Sequence, residues 1–481
     1  MGKRDRITLE NVLIESIAQS NAVAHVDGKA LFVPFCIPGD VVDVQVTHRR
    51  NSYLTGYVLR TVTPSPMRIA PFCAHFGDCG GCSWQILPYD KQLEYKQQQV
   101  VDQLTRLGHL TLPPVRPILG SAKTECYRNK LEFTFSHDKW RTFAQLAEET
   151  APTQDVPTDA PAADEAPRQE IPALGFHING RFDKVLDINE CHLQAAPSNE
   201  IRLFIKRYAI DNNLSFFNLR SQKGLLRNLM IRIATTGEIM VLLVVTVNDP
   251  RVQDLLAATL SKFPQITSLQ YIINNKKNDN FSDLPVTVYA GKPSITEKME
   301  DLQFIIGPKS FYQTNSLQAC RLYGVVRDLA QLNPDQRVYD LYTGTGTIAL
   351  FLARHCKEVI GIEYIPEAIA DARVNAQCNG IGNARFFAGD MKDVLTASFL
   401  ESEGAPDVVV LDPPRAGVHQ DVLDVLIKAA APRMVYVSCN PATQARDVQY
   451  LSAYYKVTAV QPVDMFPHTQ HVENVLLLER I

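Results

Sequence analysis

Residues 338–347 read Val338-Tyr-Asp-Leu-Tyr-Thr-Gly-Thr-Gly-Thr347, a short apolar strand that runs through a glycine-rich turn into a helical segment. The next apolar stretch, Glu358-Val-Ile-Gly-Ile-Glu363, ends in an acidic residue. A lone Gly-x-Gly is a weak signal, and a purely structural turn is the alternative. A strand, a glycine turn, a helix and a second strand in this order nevertheless predict the first unit of a doubly wound parallel sheet.

The same stretch indicates what kind of ligand the sheet binds. Glu363 closes the second strand, where a carboxylate can accept hydrogen bonds from both hydroxyls of a ribose. No third glycine completes a pyrophosphate-binding fingerprint, and no Lys-Ser/Thr pair follows for a triphosphate loop. An adenosyl ligand without phosphates, S-adenosylmethionine, fits better, with Tyr342 packing against its polar or sugar portion.

Strands and helices alternate outward from this stretch, from about residue 300 to the end of the chain. Buried strands rich in Val, Ile and Leu that alternate with helices are typical of a doubly wound parallel sheet. The predicted elements are 338–341, 347–355, 358–363, 366–379, 384–388, 407–412, 419–430 and 433–438.

The N-terminal region has a different pattern. Residues 7–62 contain several short runs of alternating apolar and polar residues, separated by turns such as Asp27-Gly28 and Pro38-Gly39-Asp40. Short strands at this spacing predict a small OB-type β-barrel. The loop His48-Arg49-Arg50-Asn51 offers phosphate contacts, although a solvated turn explains it equally well.

Residues 63–300 have a mixed pattern that predicts an α+β region. The predicted elements are helices near 89–107 and 250–262 and strands near 128–137, 228–235, 239–247 and 268–273. The stretch 146–170 is rich in Ala, Pro, Glu and Asp and has few large apolar residues, so we expect a disordered insertion. We place the domain boundaries at 1–63, 64–300 and 301–481.

The charge and composition of the chain do not exclude a nucleic-acid partner. The net charge of the 481 residues is −4, and residues 144–170 contribute −6 through seven acids and one base, so the remainder carries +2. No apolar run approaches the ~20 residues of a membrane span. The charged N-terminus does not lead into a signal-peptide core. We expect a cytoplasmic protein, where structural disulfides are disfavoured.

Four of the ten cysteines form a pattern that predicts a metal centre. Cys73-x5-Cys79-Gly-Gly-Cys82 is a tight cluster, and Cys191 is a distant candidate for the fourth ligand. Four thiolates suit a zinc ion or an iron–sulfur cluster, and the spacing alone does not choose between them. The alternative of unrelated buried thiols has a low prior, because three of the cysteines lie within ten residues.

Two further motifs follow strands of the predicted sheet. Asp412-Pro-Pro-Arg415 ends one strand, and its prolines would hold the Asp412 carboxylate at the edge where a cofactor binds. Ser438-Cys-Asn-Pro441 ends another, just before a helix. We expect the positive end of that helix to stabilise a Cys439 thiolate, the nucleophilic form. A plain turn and a buried structural cysteine are the respective alternatives.

A thiol beside a methyl-sulfonium donor suggests covalent activation of a poor carbon nucleophile. Carbon 5 of a pyrimidine is such a centre, because thiolate addition at carbon 6 makes it enolate-like and able to attack the methyl group. A base must then remove the carbon 5 proton so that the thiol can be eliminated. The candidate base is Glu473 in His468-Thr-Gln-His-Val-Glu-Asn474, which is otherwise an exposed acid before a final strand.

Taken in order, these motifs resemble the uridine-5 RNA methyltransferases, specifically the branch that contains an iron–sulfur cluster and acts on 23S ribosomal RNA. The resemblance runs essentially from end to end and includes a TRAM-type barrel. Besides the motifs above it rests on Phe311-Tyr-Gln-Thr-Asn315 and on Asp412-Pro-Pro-Arg-x-Gly417. The acidic insertion is not required by the family.

The resemblance implies roles for individual residues. Cys439 is expected to be the nucleophile and Glu473 the base. The positions expected to bind S-adenosylmethionine are Gln313, Tyr342, Glu363 and Asp412, with Thr347 and Asp390 as weaker candidates. The ligands expected for a [4Fe–4S] cluster, structural or RNA-contacting, are Cys73, Cys79, Cys82 and Cys191.

The sequence thus predicts an S-adenosylmethionine-dependent enzyme that makes 5-methyluridine in 23S ribosomal RNA and is monomeric by default. A transfer RNA target is the alternative within the same chemistry. A cluster-containing RNA-binding protein without catalysis is the alternative from another class, and the intact Cys439, Glu473, Gln313 and Asp412 argue against it. The uridine that is modified is not identified by any residue.

Overall fold

The computed structural model describes residues 7–141, 170–178 and 180–481, which form four β-sheets. All but the last residue of the acidic insertion predicted at 146–170 lies outside this part of the chain. None of the described helices is long and apolar enough to cross a membrane.

The first sheet is built by the N-terminal region. Its strands are β1 (Thr8–Leu13), β2 (Ser16–Ala18), β3 (Asn21–Val26), β4 (Lys29–Pro34), β5 (Val41–Arg49) and β6 (Tyr53–Thr63). The order is β1-β5-β6-β4-β3-β2, and only β4 and β6 are parallel. Alternate residues such as Leu31 and Val33 are fully buried. The Glu15 amide donates to the Val23 carbonyl (2.9 Å), which draws the end of β1 toward β3.

A long segment with one helix joins this sheet to the rest of the protein. The helix α1 (Tyr89–Asp102) is continued by a π-helical turn at Gln103–Leu107, in agreement with the helix predicted near 89–107. Three residues of α1 at helical spacing are fully buried, namely Gln92, Lys96 and Val100. Two of these three are polar, so this face of α1 must meet hydrogen-bonding partners rather than a purely apolar core.

The second sheet is the centre of the α+β region. Its strands are β7 (Lys130–Ser136), β8 (Ala173–His177), β9 (Val185–Asp187), β10 (Leu226–Ile233), β11 (Ile239–Val245), β12 (Ser268–Ile273) and β13 (Val286–Gly291). The order is β13-β12-β11-β10-β7-β8-β9. The helices α2 (Ser198–Asp211) and α3 (Pro250–Lys262) pack together beside it. Only β11 and β12 are parallel, because α3 provides the crossover between them.

A short hairpin connects the second sheet to the C-terminal region. It consists of β14 (Ile295–Met299) and β15 (Leu302–Ile306) and is followed by the helix α4 (Ser316–Ala330). The amide of Ile305 donates to the Asn375 side chain (2.7 Å), which fastens the hairpin to the C-terminal region. The alternating pattern predicted from residue 300 did not include this hairpin or α4.

The C-terminal region contains a seven-stranded sheet covered by helices. The strands are β16 (Arg337–Leu341), β17 (Glu358–Glu363), β18 (Ala384–Ala388), β19 (Val408–Leu411), β20 (Arg433–Ser438), β21 (Tyr455–Val463) and β22 (Glu473–Arg480). The helices are α5 (Thr347–Ala353), α6 (Pro366–Cys378), α7 (Met391–Val394), α8 (Ala397–Glu403), α9 (Gln420–Ala429) and α10 (Pro441–Leu451).

The strand order of this sheet is β18-β17-β16-β19-β20-β22-β21. The chain winds outward from β16 in one direction to β18 and then continues on the other side of β16 with β19. Ligands of such sheets bind beyond the carboxyl ends of the strands at this switch point. The predicted doubly wound sheet is therefore confirmed for five strands.

The last strand, β22, lies beyond the elements predicted for the parallel sheet and runs antiparallel to both β20 and β21. The connection 464–472 contains no helix that would carry the chain back across the sheet, so β21 and β22 pair as an antiparallel ribbon. As a result, the first residue of β22 lies at the same edge as the carboxyl ends of the parallel strands.

Candidate active site

The glycine-rich turn after β16 is held in an unusual backbone conformation. Tyr342, Gly344 and Gly346 have φ angles of 67°, 56° and 79°, in the left-handed region. A Cβ atom at Gly346 would lie 3.0 Å from the Ala372 Cβ, so this position has no room for a larger residue. The turn therefore brings its backbone close to helix α6 and leaves its amides at the switch point.

Glu363, at the end of β17, is fixed beside this turn. Its Oε2 accepts a hydrogen bond from the Gly344 amide (3.1 Å), and its Oε1 accepts one from the Ile365 amide (3.0 Å). The side chain is only partly buried. A carboxylate held by two backbone donors and open on one side is arranged to accept further hydrogen bonds from a ligand.

A cavity of about 920 Å³ opens next to the glycine-rich turn. Tyr342 and Asp390 line it together with residues of α9 and α10. Asp390 is the N-cap residue of α7 and accepts a hydrogen bond from the Lys392 amide (3.3 Å). Two of the predicted cofactor-binding residues therefore meet in one cavity.

Two other predicted cofactor positions lie on neighbouring elements. The Thr347 hydroxyl, at the start of α5, is 3.2 Å from the Tyr323 hydroxyl. The Gln313 carbonyl accepts a hydrogen bond from Asn129 (2.9 Å), which holds its segment against the central region. Thr345 donates to the Phe311 carbonyl (3.2 Å), so the segment 311–313 is tied directly to the glycine-rich turn.

We call Asp340, Asp412, Cys439 and Glu473 the carboxylate edge. Asp412 follows β19 and Cys439 follows β20, while Asp340 lies near the end of β16. The antiparallel register pairs Ser438 of β20 with Asn474 of β22, so one step further Cys439 stands opposite Glu473. The topology thus brings together side chains that are distant in the sequence.

Burial changes the ionisation of the carboxylic acids at this edge. Desolvation is the main cause that raises the pKa of Glu473 to about 8; the charge of Asp412 contributes to this shift and that of Arg415 opposes it. Desolvation likewise raises the pKa of Asp412 to about 7. The pKa of Asp340 is also raised to about 7 by burial, and its Oδ1 has no hydrogen-bond partner among the described residues. These groups can gain or lose a proton near neutral pH.

The environment of the Cys439 thiol differs from the prediction. The cysteine precedes α10 as expected, but burial raises its pKa to about 11, and the charge of Glu473 adds to the effect. A helix N-terminus contributes roughly 0.3–1 kcal/mol, less than one pKa unit, and so does not offset a shift of this size. Burial therefore opposes the stabilisation of the thiolate that the helix position predicts.

Arg415 is a charged residue beside Cys439 that the sequence prediction did not assign to the site. Its charge and its hydrogen bond to Cys439 both lower the thiol pKa and so oppose the effect of burial. Its carbonyl accepts hydrogen bonds from Asn440 (3.0 Å) and Thr443 (3.2 Å), which fixes it to the start of α10. Its position in the quoted Asp412-Pro-Pro-Arg415 motif was the available signal.

A second cavity, of about 320 Å³, lies in the central region and is lined by Cys73, Cys79, Cys82 and Cys191. We call it the cysteine cavity. Burial raises the pKa of Cys79 to about 11 and that of Cys82 to about 12, and the neighbouring cysteines add to both shifts. Within the described ranges no set of three or more Cys, His, Asp or Glu side chains is arranged to hold a metal ion. The four predicted cysteines therefore share one cavity, but the described residues do not show the predicted metal centre.

Comparison with known proteins gives the family. A family model described as tRNA (Uracil-5-)-methyltransferase matches residues 294–481, and a TRAM domain model matches residues 8–59. A protein of Bacteroides thetaiotaomicron described as an RNA methyltransferase is 54% identical over 466 residues, which cover 96% of this chain and 99% of that protein. The chain belongs to the RNA (uracil-5-)-methyltransferase family.

Other relatives of this methyltransferase agree. A Chlorobaculum tepidum protein with the same description is 38% identical and covers 92% of this chain and 90% of its own. The solved structure of Pyrococcus abyssi tRNA (uracil-54, C5)-methyltransferase in complex with S-adenosyl-L-homocysteine is 27% identical, with a TM-score of 0.71. It covers 98% of this chain and all of that one. The predicted TRAM domain, methyltransferase fold and enzyme class 2.1.1 are confirmed.

Proposed function

We propose that this methyltransferase transfers a methyl group from S-adenosylmethionine to carbon 5 of a uridine in 23S ribosomal RNA, through a covalent Cys439 adduct at carbon 6. The observation that carries the proposal is made at the carboxylate edge. There the Cys439 thiol lies together with Arg415 and with Glu473, a buried acid whose pKa is raised. In an RNA (uracil-5-)-methyltransferase, this combination suits reversible thiolate addition to a pyrimidine followed by removal of a proton.

The residues around the glycine-rich turn fit an adenosyl cofactor. Glu363 offers a fixed, partly exposed carboxylate for the ribose hydroxyls, and the adjacent cavity lined by Tyr342 and Asp390 is large enough for a nucleoside. Gln313 and Thr347 lie on segments tied to the same turn. When bound, S-adenosylmethionine supplies the electrophilic methyl group.

The proposed reaction begins with the Cys439 thiolate, which forms a bond to carbon 6 while Arg415 stabilises its charge. Carbon 5 becomes nucleophilic and would take the methyl group, whose bond to the sulfonium sulfur breaks with the electron pair left on sulfur, so that S-adenosylhomocysteine is released. Ionised Glu473 then removes the carbon 5 proton, the carbon 5–carbon 6 double bond re-forms, and the thiolate leaves. The pKa of Glu473, about 8, makes its carboxylate a stronger base than an exposed glutamate.

We propose further that Cys73, Cys79, Cys82 and Cys191 hold a [4Fe–4S] cluster with a structural or RNA-contacting role. All four thiols line one cavity, and thiolates are the usual ligands of such clusters. The choice of a cluster over a zinc ion rests on the resemblance to the iron–sulfur-containing branch of the family.

The substrate uridine must leave its stack to reach Cys439, so a single-stranded loop or base flipping is expected. The TRAM domain would strengthen binding through contacts to the RNA backbone. Transfer RNA is the second candidate substrate, because the Pyrococcus abyssi structure described above is of a transfer RNA enzyme.

Two experiments test the proposal. Labelled methyl transfer from S-adenosylmethionine to bulk RNA should require Cys439, and Cys439→Ala should lower the rate by at least about 10³-fold while cofactor binding persists. Mapping of 5-methyluridine by mass spectrometry in a deletion strain should show loss from 23S ribosomal RNA. Loss of 5-methyluridine from transfer RNA alone would identify transfer RNA as the substrate instead of 23S ribosomal RNA. Normal methylation by Cys439→Ala would overturn the mechanism.

A further inference from the structure

The connection 464–472, which leads from β21 to Glu473, is held by residues from the cysteine-bearing part of the chain. The carbonyl of His468, in the middle of this connection, accepts hydrogen bonds from the amides of Ser83 (2.9 Å) and Trp84 (3.0 Å). Ser83 follows directly after Cys82. The Ser83 hydroxyl also donates to the Gln470 side chain (3.0 Å). The segment after the cysteine cluster thus pairs with the connection before Glu473.

Gln92 of α1 joins these two segments from a fully buried position. Its Oε1 accepts a hydrogen bond from the His468 amide (2.8 Å). Its Nε2 donates to the carbonyls of Leu87 (2.8 Å) and Trp84 (3.1 Å) and lies 3.3 Å from the His468 ring. The Gln92 side chain therefore forms hydrogen bonds both to the segment after Cys82 and to the connection 464–472.

The backbone of the connection needs this support. His468 has a φ angle of 66°, a left-handed conformation that is strained for a residue with a side chain. Strained conformations persist only where the surroundings fix them. The rings of Phe72 and His468 also make an edge contact, with centroids 5.1 Å apart.

We propose that Gln92 is a positioning residue for Glu473, and that it acts by locking the connection 464–472 against the segment that bears Cys82. The inference rests on the proposed role of Glu473 as the base. Gln92 does not touch the reacting atoms. It fixes the turn at His468, and that turn fixes where β22 begins and how Glu473 faces Cys439.

The proposed chemistry separates this role from a general contribution to folding. Thiolate addition and methyl transfer do not use Glu473, whereas release of the product does. If only the placement of Glu473 is disturbed, methylated RNA should remain bound to Cys439. If the whole domain is loosened, adduct formation and turnover should fall together.

The test uses Gln92→Met in the full-length enzyme, since methionine keeps the length of the side chain and removes its hydrogen bonds. The matched control is Gln98→Met, an exposed glutamine of the same helix. Each is incubated with S-adenosylmethionine and uridine-containing RNA, and both turnover and the denaturation-resistant RNA–protein adduct are measured. We expect Gln92→Met to lower turnover about tenfold and to raise the steady-state adduct severalfold.

Ser83→Ala provides a milder second variant, which loses only the contact with Gln470 and should change both quantities in the same direction. A proportional fall of adduct and turnover, or no difference from Gln98→Met, would overturn the inference. Glu473→Gln is measured alongside. If it fails to accumulate adduct, the proposed function fails, and that outcome is distinct from failure of the Gln92 inference.

Discussion

Two groups of cysteine residues in this protein lie in contrasting surroundings. Cys439 is at the carboxylate edge, where burial raises its pKa, the charges of Glu473 and Asp412 add to the shift, and Arg415 opposes it. Cys79 and Cys82 lie in the cysteine cavity, where burial is again the main cause of the raised pKa and the charges of the neighbouring thiols add to it. The carboxylate edge can move protons, whereas the cysteine cavity offers a set of thiols for one shared ligand.

A raised thiol pKa therefore does not by itself distinguish a nucleophile from a metal ligand. What distinguishes them is the set of groups around the thiol. At Cys439 two carboxylic acids and Arg415 surround the thiol, and Arg415 offsets only part of the shift. In the cysteine cavity an added metal would have to remove the thiol protons. Substitutions at the carboxylate edge, in the cysteine cavity and between α1 and the connection 464–472 should therefore have different effects.

The largest effect is expected at the carboxylate edge. Glu473→Gln should lower turnover by about 10²–10⁴-fold, because the amide cannot accept the carbon 5 proton. Adduct formation with RNA should persist and can be followed by denaturing gel electrophoresis. Glu479→Gln, at the other end of the same strand, is the control and should leave turnover near the wild-type value.

The second prediction concerns the contact between α1 and the connection 464–472, which leads to Glu473. Lys96 of α1 and Asp464, the first residue of this connection, form a fully buried ion pair (2.6 Å). Lys96→Ala leaves Asp464 buried without its partner and should lower the free energy of unfolding by about 3–5 kcal/mol. Urea denaturation measures this change.

Lys91→Ala is the matched control for this variant. It breaks a solvent-exposed pair with Glu94 on the same helix and should change the free energy of unfolding by no more than about 1 kcal/mol. Equal destabilisation by the two variants would show that the buried Lys96–Asp464 pair does not stabilise the contact between α1 and the connection 464–472.

A smaller effect is expected from Arg415→Ala. Arg415 lowers the pKa of the Cys439 thiol, so its removal should raise that pKa, and the thiolate should form only at higher pH. Alkylation of Cys439, followed by peptide mass spectrometry across pH, should shift to higher pH and slow by up to about tenfold at a fixed pH below the pKa. Arg385→Ala, distant on β18, should leave the profile in place.

The smallest effect on Cys439 is expected from a change in the cysteine cavity. Cys82→Ala should abolish iron binding, measured by metal analysis of the reconstituted protein. The intrinsic alkylation rate of Cys439 should stay within about threefold of the wild-type rate, because the cavity contributes none of the charges that shift its pKa. Cys378→Ala, an exposed cysteine of α6, should retain the iron. Retention of iron by Cys82→Ala would contradict the proposal that Cys82 is a ligand of an iron–sulfur cluster.

The carboxylate edge could be predicted because parallel-sheet topology collects the residues that follow successive strands. Asp412 and Cys439 each come directly after an apolar strand, so the alternation of elements was enough to place them at one edge. Glu473 reached the same edge by a different route, through an antiparallel strand that the alternation did not predict.

The sequence could not predict effects that depend on burial or on distant contacts. The pKa of Cys439 depends on how completely the folded chain excludes water, and no local motif records this. The Lys96–Asp464 pair and the Gln92–His468 contact join residues more than 360 positions apart. Nothing in either segment alone indicates its partner.

The central claim is that Cys439 is the nucleophile that bonds to uridine. RNA in which 5-fluorouridine replaces uridine should form a stable adduct after methyl transfer, because fluorine at carbon 5 cannot be removed as a proton. After digestion, mass spectrometry should locate the methylated nucleotide on the peptide that contains Cys439. Absence of an adduct, or an adduct on any other residue, would contradict the account.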